Sequence, residues 1–267
     1  MSIDLIPTFY KEARMCNFDV FGVIDKNDVI HTLGSDSKII GRIFEMMIQP
    51  ILEKIAKDNG CIIETPESQT VYPDFVMMKN KYSNEKIAID VKTTYVEGES
   101  KIGFTLGSFA SYMRNNTKNI AYKYTDYIKH YVIGFVYERN SAAQQSEAYP
   151  FEKRSEIKLP FKNVRYFIQE KYKIAGDKPG SGNTENIGSI KTNNFSDFVN
   201  GNGPFSILGH EIYDIYWKNY PKYRSEIQEY NSLSEFLTWL PKQAKPELLY
   251  DYDFDEVLRR IAAYKTR

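Results

Sequence analysis

Two short apolar runs joined by a turn constrain this chain most. Phe75-Val-Met-Met78 and Lys86-Ile-Ala-Ile-Asp-Val-Lys92 flank Asn80-Lys-Tyr-Ser-Asn84, a cluster of turn formers. The second run alternates with period two. Ile87, Ile89 and Val91 face a core on this pattern, and Asp90 and Lys92 share the opposite face. An antiparallel hairpin then sets Asp74, which opens the first run after Pro73, beside Asp90. Adjacent carboxylates repel each other and gain most from a shared hard cation with oxygen ligands, such as Mg²⁺, for which Mn²⁺ can substitute. Lys92 is placed to stabilise a pentavalent phosphorane or to orient an attacking water. On their own, Pro-Asp and Asp-x-Lys mark a turn and a solvated strand face in many soluble proteins, so the rest of the chain has to decide.

Around this hairpin the pattern is mixed. Residues 20–31 read as a second hairpin, Val20 to Ile24 and Val29-Ile30, turning at Asp25-Lys-Asn-Asp28. The clearest helix starts at Ser35 or Asp36 and ends at Gly60. Ile40, Ile43, Phe44, Met47, Ile48, Ile51 and Ile55 form its apolar stripe, Glu45 lies on a polar face, and Pro50 bends it or removes one hydrogen bond. Cys61 to Glu64 is a short strand, and the hairpin's second strand runs to Tyr95. Phe104 to Ser111 precedes a polar run, Arg114 to Asn119. His130 to Tyr137 is apolar enough for a buried central strand. Residues 139–160 read as a polar loop or arm, and Val164 to Ala175 as a strand or hairpin. Leu208 to Tyr220, Ser232 to Leu240 and Phe254 to Tyr264 read as helices. The fold class is α/β or α+β, with one central mixed sheet.

Bulk properties narrow the function classes. The 267 residues suffice for one large core. Lys+Arg and Asp+Glu both total 35, which excludes a protein basic all over but not a basic groove. Lys101, Arg114, Lys118, Lys123 and Lys129 face a single acid, Asp126, between Lys101 and His130. The excess reads as a solvated face or, more sharply, as a phosphate-facing surface. Cys16 and Cys61 give no disulfide framework, and Cys61 sits in an apolar run as a buried thiol. This fits a reducing cytoplasm. No window approaches the roughly 20 apolar residues of a membrane span.

The stretch Gly176 to Gly188 is rich in glycine. It is no P-loop, and Glu185 stands where a dinucleotide loop needs its third glycine. The plain reading is a surface hairpin loop. The sharper one is groove recognition: glycines allow close backbone approach, Asn183 has the chemistry to bond adenine N6 and N7, and Thr184 to touch a thymine methyl.

At this point several blocks resemble one known family. Gly34-Ser-Asp, Ile43-Phe-Glu45, Tyr72-Pro-Asp-Phe75, Lys86-Ile-Ala-Ile-Asp90, Lys92-Thr-Thr-Tyr95, Phe104-Thr-Leu-Gly107, Arg114 to Ile120, Ile174-Ala-Gly-Asp177 and Gly180 to Thr184 are similar to the EcoRV-type restriction endonucleases of the PD-(D/E)xK superfamily, in the same order, from about Asp19 to about Leu240. The resemblance implies one restriction-endonuclease domain over 1–267, with a small dimerisation subdomain from 19–31 and part of 139–160. It implies a homodimer that clasps double-stranded DNA. It makes Asp74 and Asp90 metal-binding carboxylates and Lys92 the catalytic lysine, with Glu45 a helix glutamate at the same catalytic and metal site. Gly180, Ser181, Gly182, Asn183, Thr184, Glu185 and Asn186 become the major-groove loop, and Gln69 part of a minor-groove loop. Thr94, Tyr95, Thr105 and Lys118 fall near the DNA backbone or the central base step. A cognate DNA methyltransferase is expected in the host, not as a bound subunit.

The chain departs from the family at Glu185, where a second threonine is usual, at Thr70-Val71 for an Asn-His pair, at Gly41 for serine and at Val91 for isoleucine. Residues 243–267 have no counterpart. The function implied is Mg²⁺-dependent cleavage of both DNA strands at a short palindrome. Two rivals remain open: a repair or nicking nuclease of the superfamily, and a DNA-binding module without catalysis. The complete Asp74, Asp90 and Lys92 set weighs against the second, because pure binding needs no carboxylates near phosphate.

Overall fold

The computed structural model describes residues 3–68, 70–180, 185–221, 229–243 and 253–265. Helix α1 (Leu5–Ala13) leads to the first hairpin, in which β1 (Gly22–Ile24) and β2 (Val29–Leu33) pair antiparallel, Val23 opposite His31. The Asp25 carboxylate closes its turn, accepting from the Asn27 N–H at 2.8 Å and the Val29 N–H at 3.1 Å. Helix α2 (Ser37–Asp58) is the long helix of the sequence reading. Asp36 caps it by accepting from the Lys38 N–H at 2.8 Å, and Gly60, at φ +64°, lets the chain leave it. Of the predicted stripe, Ile40, Phe44, Ile48, Ile51 and Ile55 are buried. Leu52 and Ala56 join them, while Ile43 and Met47 stay half-buried. The helix runs on through Pro50, which lies on its exposed side, so the proline removes one backbone donor without ending the helix.

The central sheet grows from the second hairpin. Its strands are β3 (Ile62–Glu64), β4 (Phe75–Met78) and β5 (Lys86–Val96), followed, after β6 (Thr105–Ser108), by β7 (Tyr127–Arg139), and, after β8 (Gln145–Pro150), by β9 (Phe161–Glu170). The order is β3-β4-β5-β7-β9, with β5 and β7 parallel and the other pairs antiparallel: the expected mixed sheet. β5 is more enclosed than its alternation suggests. Ile87, Ile89 and Val91 pack with α1 and α2, yet Ala88 and Asp90, on the opposite face, are buried as well. A parallel neighbour brings cover on both sides of a sheet. The alternation in the sequence therefore records polarity, not exposure.

The polar arm expected at 139–160 contains a strand. β8 pairs with β2, Ile30 opposite Tyr149, so residues 22–33 and 145–150 form one small sheet. The stretch 164–175 ends β9 in one helical turn, α3 (Lys171–Ile174). β10 (Ala175–Pro179) and β11 (Asn186–Ser189) then make the hairpin that carries the glycine-rich stretch, and β11 also pairs with β6. Ser181, Gly182, Asn183 and Thr184 lie outside the described residues, as does Gln69.

The second face of the sheet is covered by α4 (Ser196–Asn200), α5 (Phe205–Leu208), α6 (His210–Asn219), α7 (Leu233–Trp239) and α8 (Phe254–Lys265), which share a core rich in tyrosine. The helix expected from Leu208 starts at His210, because Gly209 at φ +95° separates it from α5. The C-terminal segment is built into this layer. Val257 and Ile261 are buried, and the Arg260 guanidinium donates to Glu211 at 2.7 Å. Among the described residues no helix is long and apolar enough to cross a membrane.

Gly134 is the tightest point of the central strand. A Cβ there would lie 2.2 Å from the fully buried ring of Phe167, its partner on β9. Gly134→Ala is expected to destabilise the fold by about 1–3 kcal/mol in denaturant unfolding, and Phe167→Leu in the same chain to recover part of the loss. Unchanged stability of Gly134→Ala would contradict this packing.

Candidate active site

The register of β4 on β5, Phe75 opposite Ile89, extends to bring Asp74 beside Asp90 at the sheet's end. Lys92, two residues along the same face, turns its Nζ to both: 2.8 Å from Asp90 Oδ2 and 3.8 Å from Asp74 Oδ2. The Val91 N–H donates to Asp74 Oδ2 at 2.7 Å, which fixes that carboxylate against the strand edge. A second lysine stands behind. The Nζ of Lys171, the first residue of α3, is 3.7 Å from Asp90 Oδ2.

These charges govern one another. Burial and the neighbouring Asp90 push the Asp74 carboxyl up to about 7, against the pull of Lys92 and the Val91 N–H. Burial also works against the charge on Asp90, but Lys92 and Lys171 outweigh it and hold that carboxyl below its ordinary value. Lys92 is buried too, yet Asp90 and Asp74 keep its ammonium firmly protonated.

The donor set suits a hard divalent ion. Asp90 Oδ2 is buried and accepts no hydrogen bond of good geometry, although two ammonium groups stand near it. An oxygen without a well-formed hydrogen bond, beside a second carboxylate that resists ionising, leaves room for a further positive partner. Among the described residues no three His, Cys, Asp or Glu side chains converge into a closed cage. Two protein carboxylates, with water and a substrate oxygen to complete the shell, match the habit of Mg²⁺.

Three cavities meet at this edge. The first, about 250 Å³, is lined by Asp74, Asp90 and Lys92 together with Thr70, Val71 and Asn186. It thus joins the carboxylates to the segment beside Gln69 and to the root of the glycine-rich hairpin. A groove of about 560 Å³ runs from Lys92 past Thr94 and Thr105 to Gly180, with Lys101 and Lys191 on its walls and no acid among its lining residues. The third, about 470 Å³, holds Glu45 and Asp74. Glu45 is bound to Arg42 at 2.6 Å, and its charge acts on both Asp74 and Lys92. It faces the site across that cavity.

Tyr95 and Lys118 are exposed and line none of the three. The Tyr95 ring is covered by the Arg139 guanidinium at 3.5 Å. Arg114, counted among the candidate phosphate-facing bases, is committed elsewhere: it donates to the Lys218 carbonyl at 2.8 Å and to that of Tyr220. It also feels the charge of Glu185, so the loop's unusual carboxylate has a cation nearby. The Glu185 carbonyl accepts from the Phe109 N–H at 3.0 Å, which docks the loop's end on the turn after β6. Lys171 escaped the sequence reading because it stands in Glu170-Lys-Tyr-Lys173, a run that looks solvated. Only its burial, at 2% exposure, marks it.

A mixed sheet covered by helices on both faces, with an acidic and lysine-bearing edge open to a cleft, is the architecture of the restriction-endonuclease fold. The family model for restriction endonuclease EcoRV matches residues 14–241. The chain is 44% identical over 246 residues to the type II restriction enzyme EcoRV of Escherichia coli, covering 91% of this chain and 98% of that protein. This chain belongs to the EcoRV restriction endonuclease family, and it is a hydrolase of that type. The match ends before α8, so that helix lies beyond the family's span.

The raised Asp74 carboxyl makes its own contribution to the pH dependence of the metal-free protein. Its folded pKa, about 7, lies above the ordinary value of about 3.9. The resulting penalty is absent below pH ~4, grows as pH rises and is complete above pH ~7. In EDTA, Asp74→Asn is expected to be more stable than the unsubstituted protein by about 2–4 kcal/mol at pH 8 and equal to it near pH 4. Denaturant unfolding at the two pH values measures this, and a difference that does not change with pH counts against the shift.

Proposed function

We propose that the chain is a type II restriction endonuclease that hydrolyses both strands of duplex DNA at a short palindrome, with Mg²⁺ as its ion and Mn²⁺ able to replace it. The observation that carries this reading is the convergence of Asp74, Asp90 and Lys92 in one cavity with Asn186 from the root of the glycine-rich hairpin. Catalysis and base reading then share a wall.

Asp74 and Asp90 would hold the ion, and Glu45 acts on the charge of Asp74 and Lys92 from across its cavity. When bound, the ion neutralises charge on a phosphoryl oxygen and makes a water a better nucleophile. Lys92 directs its ammonium at the scissile phosphate and stabilises the negative charge that builds on it. Water attacks phosphorus opposite the 3′ oxygen. The P–O3′ bond breaks, the leaving oxygen takes a proton, and the ends are a 5′-phosphate and a 3′-hydroxyl. The acid-free groove from Lys92 to Gly180 receives the backbone. Gly180 to Asn186 read the major groove, Gln69 contributes from the minor-groove side, and Thr94, Tyr95, Thr105 and Lys118 contact the backbone or the central step.

A palindrome calls for a twofold protein. The sheet of β1, β2 and β8 offers the contact: Val23 and Ile24 within it and Phe21 and Phe151 beside it are 57%, 51%, 39% and 42% exposed, and β1 is one of its two edges. By analogy with the EcoRV enzyme the site is GATATC, cut at its centre to blunt ends. The protein acts in the cytoplasm, beside a methyltransferase that protects the host's own sites.

Asp74→Ala, Asp90→Ala and Lys92→Ala are each expected to lose plasmid cleavage by about 10³-fold or more while keeping the thermal unfolding of a folded protein. Near-normal cutting by Asp90→Ala, or by the unsubstituted protein in excess EDTA, would sink the assignment. Light scattering on the same preparation should give a dimer, and a monomer that still makes double-strand cuts would contradict the twofold reading. For specificity, Asn183→Ala should lose about 1–3 kcal/mol of discrimination at the cognate site and leave weak non-specific binding unchanged. Sequenced fragment ends lacking adenine and thymine at the cut palindrome would exclude GATATC.

A further inference from the structure

Lys171 is a cation that the catalytic reading leaves idle, although burial pulls its ammonium down to about 8 against the pull of Asp90. It opens α3 at the end of β9 and is 2% exposed. Its Nζ stands 3.7 Å from Asp90 Oδ2, the same oxygen that Lys92 approaches at 2.8 Å. Asp90 is the one carboxylate within 4.0 Å of it among the described residues. Its remaining surroundings are aromatic. The ammonium lies 4.0 Å from the centre of the Tyr72 ring and 5.6 Å from that of Tyr112, and donates to the Tyr112 hydroxyl at 3.5 Å. The two rings stack at 4.1 Å, and the Tyr72 hydroxyl is bound to His130 Nδ1 at 2.7 Å. This floor is anchored, so the cation it holds cannot wander.

The two lysines are placed for different tasks. Lys92 lines both the catalytic cavity and the acid-free groove, whereas Lys171 lines neither. Substrate phosphate can reach the first and not the second. As long as no metal ion is bound, a Lys92 that was the only counter-ion of Asp90 could turn toward a phosphate only by stranding a buried carboxylate, and a buried charge without its partner is costly. A fixed cation behind the carboxylate removes that obstacle.

We propose that Lys171 is a positioning residue, the buried second counter-ion of Asp90 that frees Lys92 to leave this carboxylate for the scissile phosphate. The proposal rests on the nuclease reading, but half of its test does not. In EDTA and without DNA, Lys92→Met, Lys171→Met and the double variant are unfolded thermally. Each single variant leaves Asp90 one cation, so the double variant is expected to lose more in Tm than the two single losses together. Additive losses overturn the shared carboxylate. Should Lys171→Met not fold, Asp90→Asn with Lys171→Met is expected to fold, since the demand for a cation is gone. If that chain also fails to fold, Lys171 is a structural staple and the proposal falls.

The kinetic half uses plasmid DNA and Mg²⁺. Lys171→Met should lower kcat by at least about tenfold with KM within about threefold, because Lys171 does not touch DNA, and Lys171→Arg should restore most of the loss. An unchanged kcat, or a loss that Lys171→Arg does not restore, overturns the proposal. A wild-type protein that cuts no duplex DNA overturns the nuclease reading instead, and the unfolding cycle stays interpretable.

Discussion

Two carboxylates held side by side at a strand edge set the terms for everything around them. Left alone, Asp74 and Asp90 would drive the β4–β5 hairpin apart or give up a charge. The fold prevents the first by pairing, with Phe75 to Met78 locked against Lys86 to Ile89. It limits the second by converging two ammonium groups on Asp90 Oδ2 and a backbone N–H on Asp74. Asp74 still resists ionisation. The site is therefore poised: one carboxylate is held charged, the other waits for a cation. A slip of one residue in the register would turn Asp90 and Lys92 toward α2 and abolish the arrangement.

The sequence made the acidic edge legible because it is local. Asp74, Asp90 and Lys92 lie within one hairpin, and period-two alternation with a turn signal suffices to align them. The long helix was readable for the same reason, its Asp36 cap and Gly60 stop being local chemistry. What stayed hidden depends on distant pairing. β8 looked like a polar arm because its outward residues are polar, and it becomes a strand only on finding β2. β5 looked half-buried because alternation cannot report the layer of helices on its second face. Lys171 is the sharpest case. Its partner Asp90 is far away in sequence, and nothing in its neighbours on the chain marks it as buried. Arg114 errs the other way: its charge suggested phosphate, and its geometry serves the end of α6.

The abundance of tyrosine has a physical meaning once the second core is seen. Tyr72, Tyr112, Tyr124 and Tyr213 are buried between the acidic edge and α6. A wholly apolar wall there would penalise Asp90 and Lys171 severely, and a wet one would screen the charges the site depends on. Phenol rings bury large area while offering hydroxyls and negative faces to a cation. The chain Lys171, Tyr72, His130 is one such passage from charge into packing.

The same packing ties the glycine-rich hairpin to the paired carboxylates through a short route. β11 pairs with β6, and the Glu185 carbonyl caps the turn that follows β6. That turn carries Tyr112, which both stacks on Tyr72 and receives Lys171. Tyr72 in turn precedes Pro73 and Asp74. A displacement of the glycine-rich hairpin thus has few steps to travel before it reaches the cations of Asp90, and each step is a packed ring or a backbone hydrogen bond. Such a path does not by itself prove coupling, which requires an element with two arrangements. The ammonium of Lys92 is the element here with a choice, because it lies between a carboxylate at 2.8 Å and an open groove. The balance of that choice is what a shift of the hairpin can change.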